Sequence, residues 1–409
     1  MIYYKRLVLK GLDELESFSY DSGSFASMER VEFVNVSLRR LMIESESFDM
    51  VRELTISGMS ELDSVVIGSN SFVWNGNNGI YRLVNCPKLK SIVIGDGSFT
   101  GYHSFALESL PSLQRVEIGE GCFDRVREWV LSELNGLERV VIGDRSFRMG
   151  ESERNDGLLR IQNCSQLKSI ECNDGSFEDY ESIELNGLAS LQSLVFGSNC
   201  FKFSSSLSLN GLNELRTIRF GSSSFAETES FSIGNSSLTL LNELSFGEGS
   251  LIGVHSLSIG SNSFNSLPSF PFYSLSQITS ITIGSSSLNE MESFNINSFH
   301  SLNQLIIGSS SLNNLNAISF NSTSLNRLII ESNCLMQLKS IELNELNSVS
   351  VMSIGSNSMR GLESLRIGSV SRRILSSFGI STCSTNDCMI VNESIPFGNL
   401  KQLVVLNGV

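Results

Sequence analysis

Three histidines in 409 residues, at His103, His255 and His300, deprive the chain of a common ingredient of catalytic and zinc-binding sites. No H-E-x-x-H, no G-x-S-x-G and no Cys/His pair at credible spacing occurs, so an enzyme is not expected. Neither G-x-G-x-x-G nor G-x-x-x-x-G-K-[ST] is present, which leaves a nucleotide without support, and no cofactor is expected. Apolar runs of about 18 residues, the length a membrane-spanning helix needs, are missing. Basic residues are few, 29 against 43 acidic, and no long Lys/Arg cluster exists. The resulting net charge of −14 makes nucleic acid a poor partner. What the chain has in quantity is apolar: 41% hydrophobic residues and 25 phenylalanines, too many for disorder.

Length alone predicts two or three ordinary domains, but internal repetition runs from end to end. A block of form L-x-x-I-x-I-G-x-x-S-F recurs, as in Leu62–Phe72 (LDSVVIGSNSF), Leu89–Phe99 (LKSIVIGDGSF) and Leu137–Phe147 (LERVVIGDRSF). Its closing residues are Phe25, Phe48, Phe72, Phe99, Phe123, Phe147, Phe177, Phe201 and Phe225, mostly 24 apart, with longer steps of 27 and 30. Later copies close on Leu251, Leu288, Leu312, Leu335 and Met359. Two steps, Phe246 to Ile259 and Ile354 to Ile367, are only 13 residues. The frame gives sixteen to seventeen coils without a linker, hence a single solenoid over residues 1–409, with 372–397 an irregular last coil or a cap.

Each repeat of about 24 residues divides into two short strands. Leu89–Ile94 alternates apolar and exposed positions up to a glycine, and His103–Leu107 does the same further on. Alternation with period two, β-branched enrichment and Gly/Ser/Asn/Asp punctuation predict strands rather than helices. The best helical candidate, Arg125–Glu133, still fits the second-strand frame. Stacked coils therefore predict a β-rich solenoid with parallel sheets on two faces and little helix. The Phe column is expected to stack as an internal spine. The glycine after strand one (Gly68, Gly95, Gly119, Gly143) is expected to supply a positive φ. The small polar column (Ser71, Ser98, Cys122, Ser146) is expected to satisfy buried turn amides.

The block resembles the leucine-rich-repeat consensus L-x-x-L-x-L-x-x-N/C-x-L, with Leu62, Val65, Ile67, Asn70 and Phe72 in its positions. The Phe ending and short β return are most similar to the BspA-like leucine-rich repeats of protists and bacteria. The pattern departs where Gly97, Gly121, Arg145 and Gly175 replace the Asn, and in using Ile-Gly where that family has Ile-Pro. The resemblance implies a right-handed coil and a surface for binding or adhesion, and it carries over no catalytic residue.

In this family the outward residues of strand one make the binding face. The candidates are Arg39, Arg40, Lys90, Arg115, Glu117, Glu138, Arg139, Lys168, Glu171, Arg216 and Arg219, weighed against plain surface held by cross-strand charge pairs. Asp96, Glu120, Asp144 and Asp174 share one turn position in four successive coils and read as an acidic ridge. That ridge is either a solvated edge or a weak site for a hard cation or a basic partner. Charge falls along the chain: residues 1–200 hold 19 basic and 30 acidic side chains, 201–409 hold 10 and 13.

Six cysteines fit the repeat frame, which points to a reducing compartment, while Cys383 and Cys388 lie in an irregular stretch. The chain opens MIYYKRLVLKGL, in register and without a charged-then-apolar leader, so a cytoplasmic place is expected. The reading is a non-enzymatic scaffold that presents an extended repeat surface to a protein partner. The alternatives are a cell-surface adhesion or recognition protein, if the chain is a fragment, and a self-assembling structural rod joined end to end.

Overall fold

The two-strand alternation appears wherever the repeat does: Ser91–Ile94 reads half-buried, buried, half-buried, buried, and Arg115–Ile118 and Arg139–Ile142 keep the same parity. The computed structural model describes residues 5–20, 25, 27–149, 157–296, 299–321, 324–344, 346, 348–367, 380–384, 387–390 and 402–405. It is a parallel β-solenoid of about 14 turns, a leucine-rich-repeat-like coil with almost no helix. Among the described residues one short 3-10 turn, Phe272–Ser274, is the only helical piece. Arg125–Glu133 contains the strand Glu128–Ser132.

Two units divide the chain. The first comprises Met1–Leu207, Thr217–Thr228 and Phe246–Ser250. Here the first strands, from Arg40–Ile43 to Thr217–Phe220, pair in parallel and in register, for example Val65 with Ile92 and Ile92 with Val116. The returning strands make separate parallel sheets, one holding Arg30–Val36 to Tyr102–Glu108 and the other Glu128–Ser132 to Tyr180–Asn186. The second unit comprises Ser208–Arg216, Glu229–Ser245 and Leu251–Val409. One of its faces runs from Ser230–Ile233 to Val351–Ile354, and another holds Ala317–Asn321, Ser340–Asn344, Ser364–Ile367 and Gln402–Val405. Ile380–Ser384 and Asp387–Ile390 form an antiparallel hairpin with Cys383 opposite Cys388. The rest of the stretch read as a cap lies outside the described residues.

Counting motif copies overestimates the turns, and the short steps explain why. Val351–Ile354 pairs with Arg327–Ile330, yet Ser364–Ile367, 13 residues on, pairs with Ser340–Asn344 in the other sheet. A short step is half a turn that carries the motif to the opposite face.

The phenylalanines do form a buried spine. From Phe25 to Phe225 the rings follow one another at 4.7–5.4 Å with interplanar angles of 2–16°. A second column lies beside it: Tyr81, Phe105 and Trp129 stack at 5.0 and 5.7 Å and lean on Phe99, Phe123 and Phe147.

Corner geometry corrects the role expected of glycine. The left-handed residues are the spine residue and the residue two before it: Asn70 (φ 53) with Phe72 (φ 59), Gly121 (φ 66) with Phe123 (φ 58). The glycines ending strand one are not left-handed. A Cβ on Gly143 would lie 2.4 Å from the carbonyl carbon of Gly119, so close approach of successive coils is what demands glycine there. The serine column behaves as its position implies. Ser98 Oγ accepts the Ser71 N–H at 3.1 Å and donates to the Gly68 carbonyl at 2.8 Å. Ser146 bridges Cys122 N–H and Gly119 O at 3.1 and 2.6 Å, and Ser287 bridges Ser263 N–H and Gly260 O at 3.2 and 2.8 Å. One hydroxyl thus satisfies a buried donor and a buried acceptor of the preceding coil.

Candidate interaction face

Register turns the first strands of the first unit into a lattice of outward residues. One row reads Arg40, Ser64, Ser91, Arg115, Arg139, Ser169, Ser193 and Thr217. The next reads Met42, Val66, Val93, Glu117, Val141, Glu171, Val195 and Arg219. A third row precedes them, its backbone laddered from Arg39 through Asp63, Lys90, Gln114, Glu138 and Lys168 to Gln192. Arg216 is exposed in the following coil. All eleven predicted face residues therefore lie on or just before strands of a single sheet.

Most of these charges meet one another. Lys90 Nζ lies 2.8 Å from Asp63, Lys168 Nζ 2.9 Å from Glu138, Arg139 3.1 Å from Glu171, and Arg115 3.5 Å from Glu117. The Lys90 ammonium, hydrogen-bonded to Asp63, holds that carboxyl below the usual carboxylate range. With both partners open to solvent, each pair is worth about 0.2–1 kcal/mol. Among the described residues Arg39 and Arg40 make no ion pair, and both are exposed. Next to them runs an apolar row that only register reveals: Met42, 52% exposed, then half-buried Val66 and Val93. Alternation along each strand makes these three positions outward, and the pairing of the strands makes them continuous over three coils.

The acidic-ridge residues share a corner but face different partners. Asp96 Oδ1 accepts the Glu120 N–H at 2.8 Å, and Asp174 Oδ1 accepts the Ser198 N–H at 2.7 Å. Glu120 pairs with Arg145, and Asp144 is half-buried. Among the described residues no three His, Cys, Asp or Glu side chains come together as metal ligands.

Cys86, Cys122, Cys164, Cys172, Cys200 and Cys334 are buried free thiols. Burial pushes Cys86 up to about 11 and Cys122 and Cys200 up to about 12. Such protonated sulfurs are poor nucleophiles. Cys122 stands in for a ladder serine, its Sγ donating to the Gly95 carbonyl at 3.3 Å. His103 Nδ1 lies 2.8 Å from the Gly79 carbonyl. No helix among the described residues is long and apolar enough to cross a membrane.

No protein-family model matches this chain, and no curated protein does. Among solved structures it is similar to the chain of a crystal structure of a TLR13–ssRNA13 complex, at 15% identity and a TM-score of 0.21. The match covers 94% of this chain and 65% of that one, less than two thirds of its length. A likeness of that size fixes neither fold nor function, and the coil described above stands on its own pairings.

Proposed function

We propose that this protein is a non-enzymatic protein-interaction scaffold of the BspA-like leucine-rich-repeat kind, acting in a reducing compartment through the sheet that runs from Arg40 to Arg219. One observation carries the reading: a continuous apolar row, Met42, Val66 and Val93, stands in register beside Arg39 and Arg40 while neighbouring charges are paired among themselves. A desolvatable apolar centre with a charged rim is how protein interfaces are built. The partner that fits carries an apolar patch bordered by carboxylates.

The test is a pull-down with the full chain, comparing wild type, Met42→Asp/Arg40→Glu and Arg115→Glu/Arg139→Glu. Loss of partners with the first variant supports this end of the face, and loss with the second supports the wider face. Partners retained by both variants overturn the proposal.

A further inference from the structure

The 27-residue repeat between Phe72 and Phe99 carries extra chain between its spine corner and the returning strand Gly79–Val84. That stretch reads Val73-Trp74-Asn75-Gly76-Asn77-Asn78-Gly79 and holds two of the chain's six Asn-Gly pairs. Asn75, Gly76, Asn77 and Asn78 are all exposed and precede the strand. An Asn-Gly pair has its own chemistry, because a glycine without Cβ lets its backbone nitrogen approach the carboxamide carbon of the asparagine before it. The approach needs a glycine N–H and an asparagine side chain that the fold leaves unengaged.

Most of the pairs are engaged. Asn78 Oδ1 accepts the Trp74 indole N–H at 2.9 Å, and the Gly79 N–H donates to the Gly101 carbonyl at 3.0 Å. Asn135 and Gly136 lie in a turn closed by Leu137 N–H to Leu134 O at 3.0 Å, where a Cβ on Gly136 would come within 2.7 Å of the Pro111 carbonyl oxygen. Asn186 ends the strand Tyr180–Asn186, and its carbonyl accepts the Asn163 N–H at 3.0 Å. After Asn210, the Gly211 N–H donates to Ser237 Oγ at 2.9 Å. Asn407 lies outside the described residues.

Asn75-Gly76 is different. The backbone N–H of Trp74 anchors the loop to the Thr100 carbonyl at 3.0 Å, and regular pairing resumes only at Gly79. Between these points, among the described residues, no hydrogen bond engages the Gly76 N–H or the Asn75 side chain. Both residues stand in solvent, where water and base reach them.

We propose that Asn75 is a self-modification site, converting to aspartate and isoaspartate in the folded protein while the other described Asn-Gly pairs persist. The Gly76 nitrogen, losing its proton to base, attacks Asn75 Cγ. The N–Cγ bond forms, the Cγ–Nδ2 bond breaks, and Nδ2 leaves as ammonia after taking up a proton, which closes a succinimide ring. Water then opens the ring at either carbonyl. Attack at Cγ restores the ordinary backbone as aspartate, and attack at the Asn75 main-chain carbonyl leaves the chain running through Cγ as isoaspartate. Either product adds a negative charge to the loop, and isoaspartate also lengthens its backbone. The proposal does not depend on the interaction face described above.

Tryptic mapping by mass spectrometry, with the full chain incubated at mildly alkaline pH either native or in urea, decides the matter. Products of Asn75 fall in the Glu53–Arg82 peptide, where fragment ions separate them from those of Asn78. In the native chain Asn75 should convert about tenfold faster than Asn78, Asn135, Asn186 or Asn210, a barrier difference of about 1.4 kcal/mol. In urea the five rates should converge, because folding is what separates them. Asn75→Gln should remove the fast product and leave the slow ones unchanged. A native rate at Asn75 no greater than at the other four, or a preference for Asn75 that persists in urea, overturns the proposal.

Discussion

Tyr102 reaches across an entire coil to donate its phenolic hydrogen to the backbone carbonyl of Val51, 2.6 Å away. Both residues stand three positions after a spine phenylalanine, Phe48 and Phe99. The coil between them is the 27-residue repeat, in which the matching residue, Asn75, is exposed on a longer connection. Tyr180 makes the same bond to Val126 across the 30-residue repeat. In both cases a glycine lies in register beside the tyrosine. A Cβ on Gly79 or Gly157 would come within 2.7 or 2.6 Å of the ring. Where an insertion removes one member of a core column, the next coil fills the gap with a longer side chain.

Tyr102→Phe keeps the ring and strands the Val51 carbonyl, so it should destabilise the chain by about 1–3 kcal/mol. Tyr102→Ala also empties the space and should cost about 3–5 kcal/mol. Urea unfolding of both variants checks this, and a Tyr102→Phe midpoint equal to wild type would refute the bond's role.

The serine column makes a graded prediction. Ser98→Ala leaves a buried N–H and a buried C=O without partners and should lose about 1–3 kcal/mol. Ser98→Cys should lose less, because cysteine already occupies the column at Cys122, Cys200 and Cys334. Thermal melts that rank cysteine below alanine would contradict the ladder.

At the spine, burial and backbone conformation act together. Phe123→Ala should cost about 3–5 kcal/mol. Phe123→Leu should be milder, since Leu288, Leu312 and Leu335 hold the same left-handed conformation in later coils. Phe123→Val should be worse than leucine, because branching at Cβ disfavours positive φ. Chemical denaturation of the three variants tests the order.

Raised thiol values give stability a pH dependence. Above pH 9 an unfolded chain sheds the protons of Cys86, Cys122 and Cys200, while the folded chain holds them to about 11, 12 and 12. Unfolding is therefore increasingly favoured from pH 9 towards those values, by about 1.4 kcal/mol per pH unit for each thiol. The stability is intact below pH 9. Denaturation midpoints at pH 8, 9 and 10 should show the decline, and Cys122→Ser should flatten it.

Much of this was legible in the sequence because a stacked coil writes its rules once per turn. The Phe spine, the two-strand division and the serine column each follow from a fixed offset. The second aromatic column escaped because insertions shift its offset: Tyr81 lies nine residues after Phe72, whereas Phe105 and Trp129 lie six after Phe99 and Phe123. The glycine role was misread because a sequence shows a turn but not the distance to the coil beneath it. On the candidate face, charges were visible as residues, but which of them neutralise one another depends on register between strands.

The half-turn steps have a consequence for how such a gene can vary. Copies joined half a period out of phase would place the motif's outward residues in the opposite sheet from those of the coils before them, as the step from Ile354 to Ile367 does. A lineage could thereby change which residues it presents on a given side in a single genetic event.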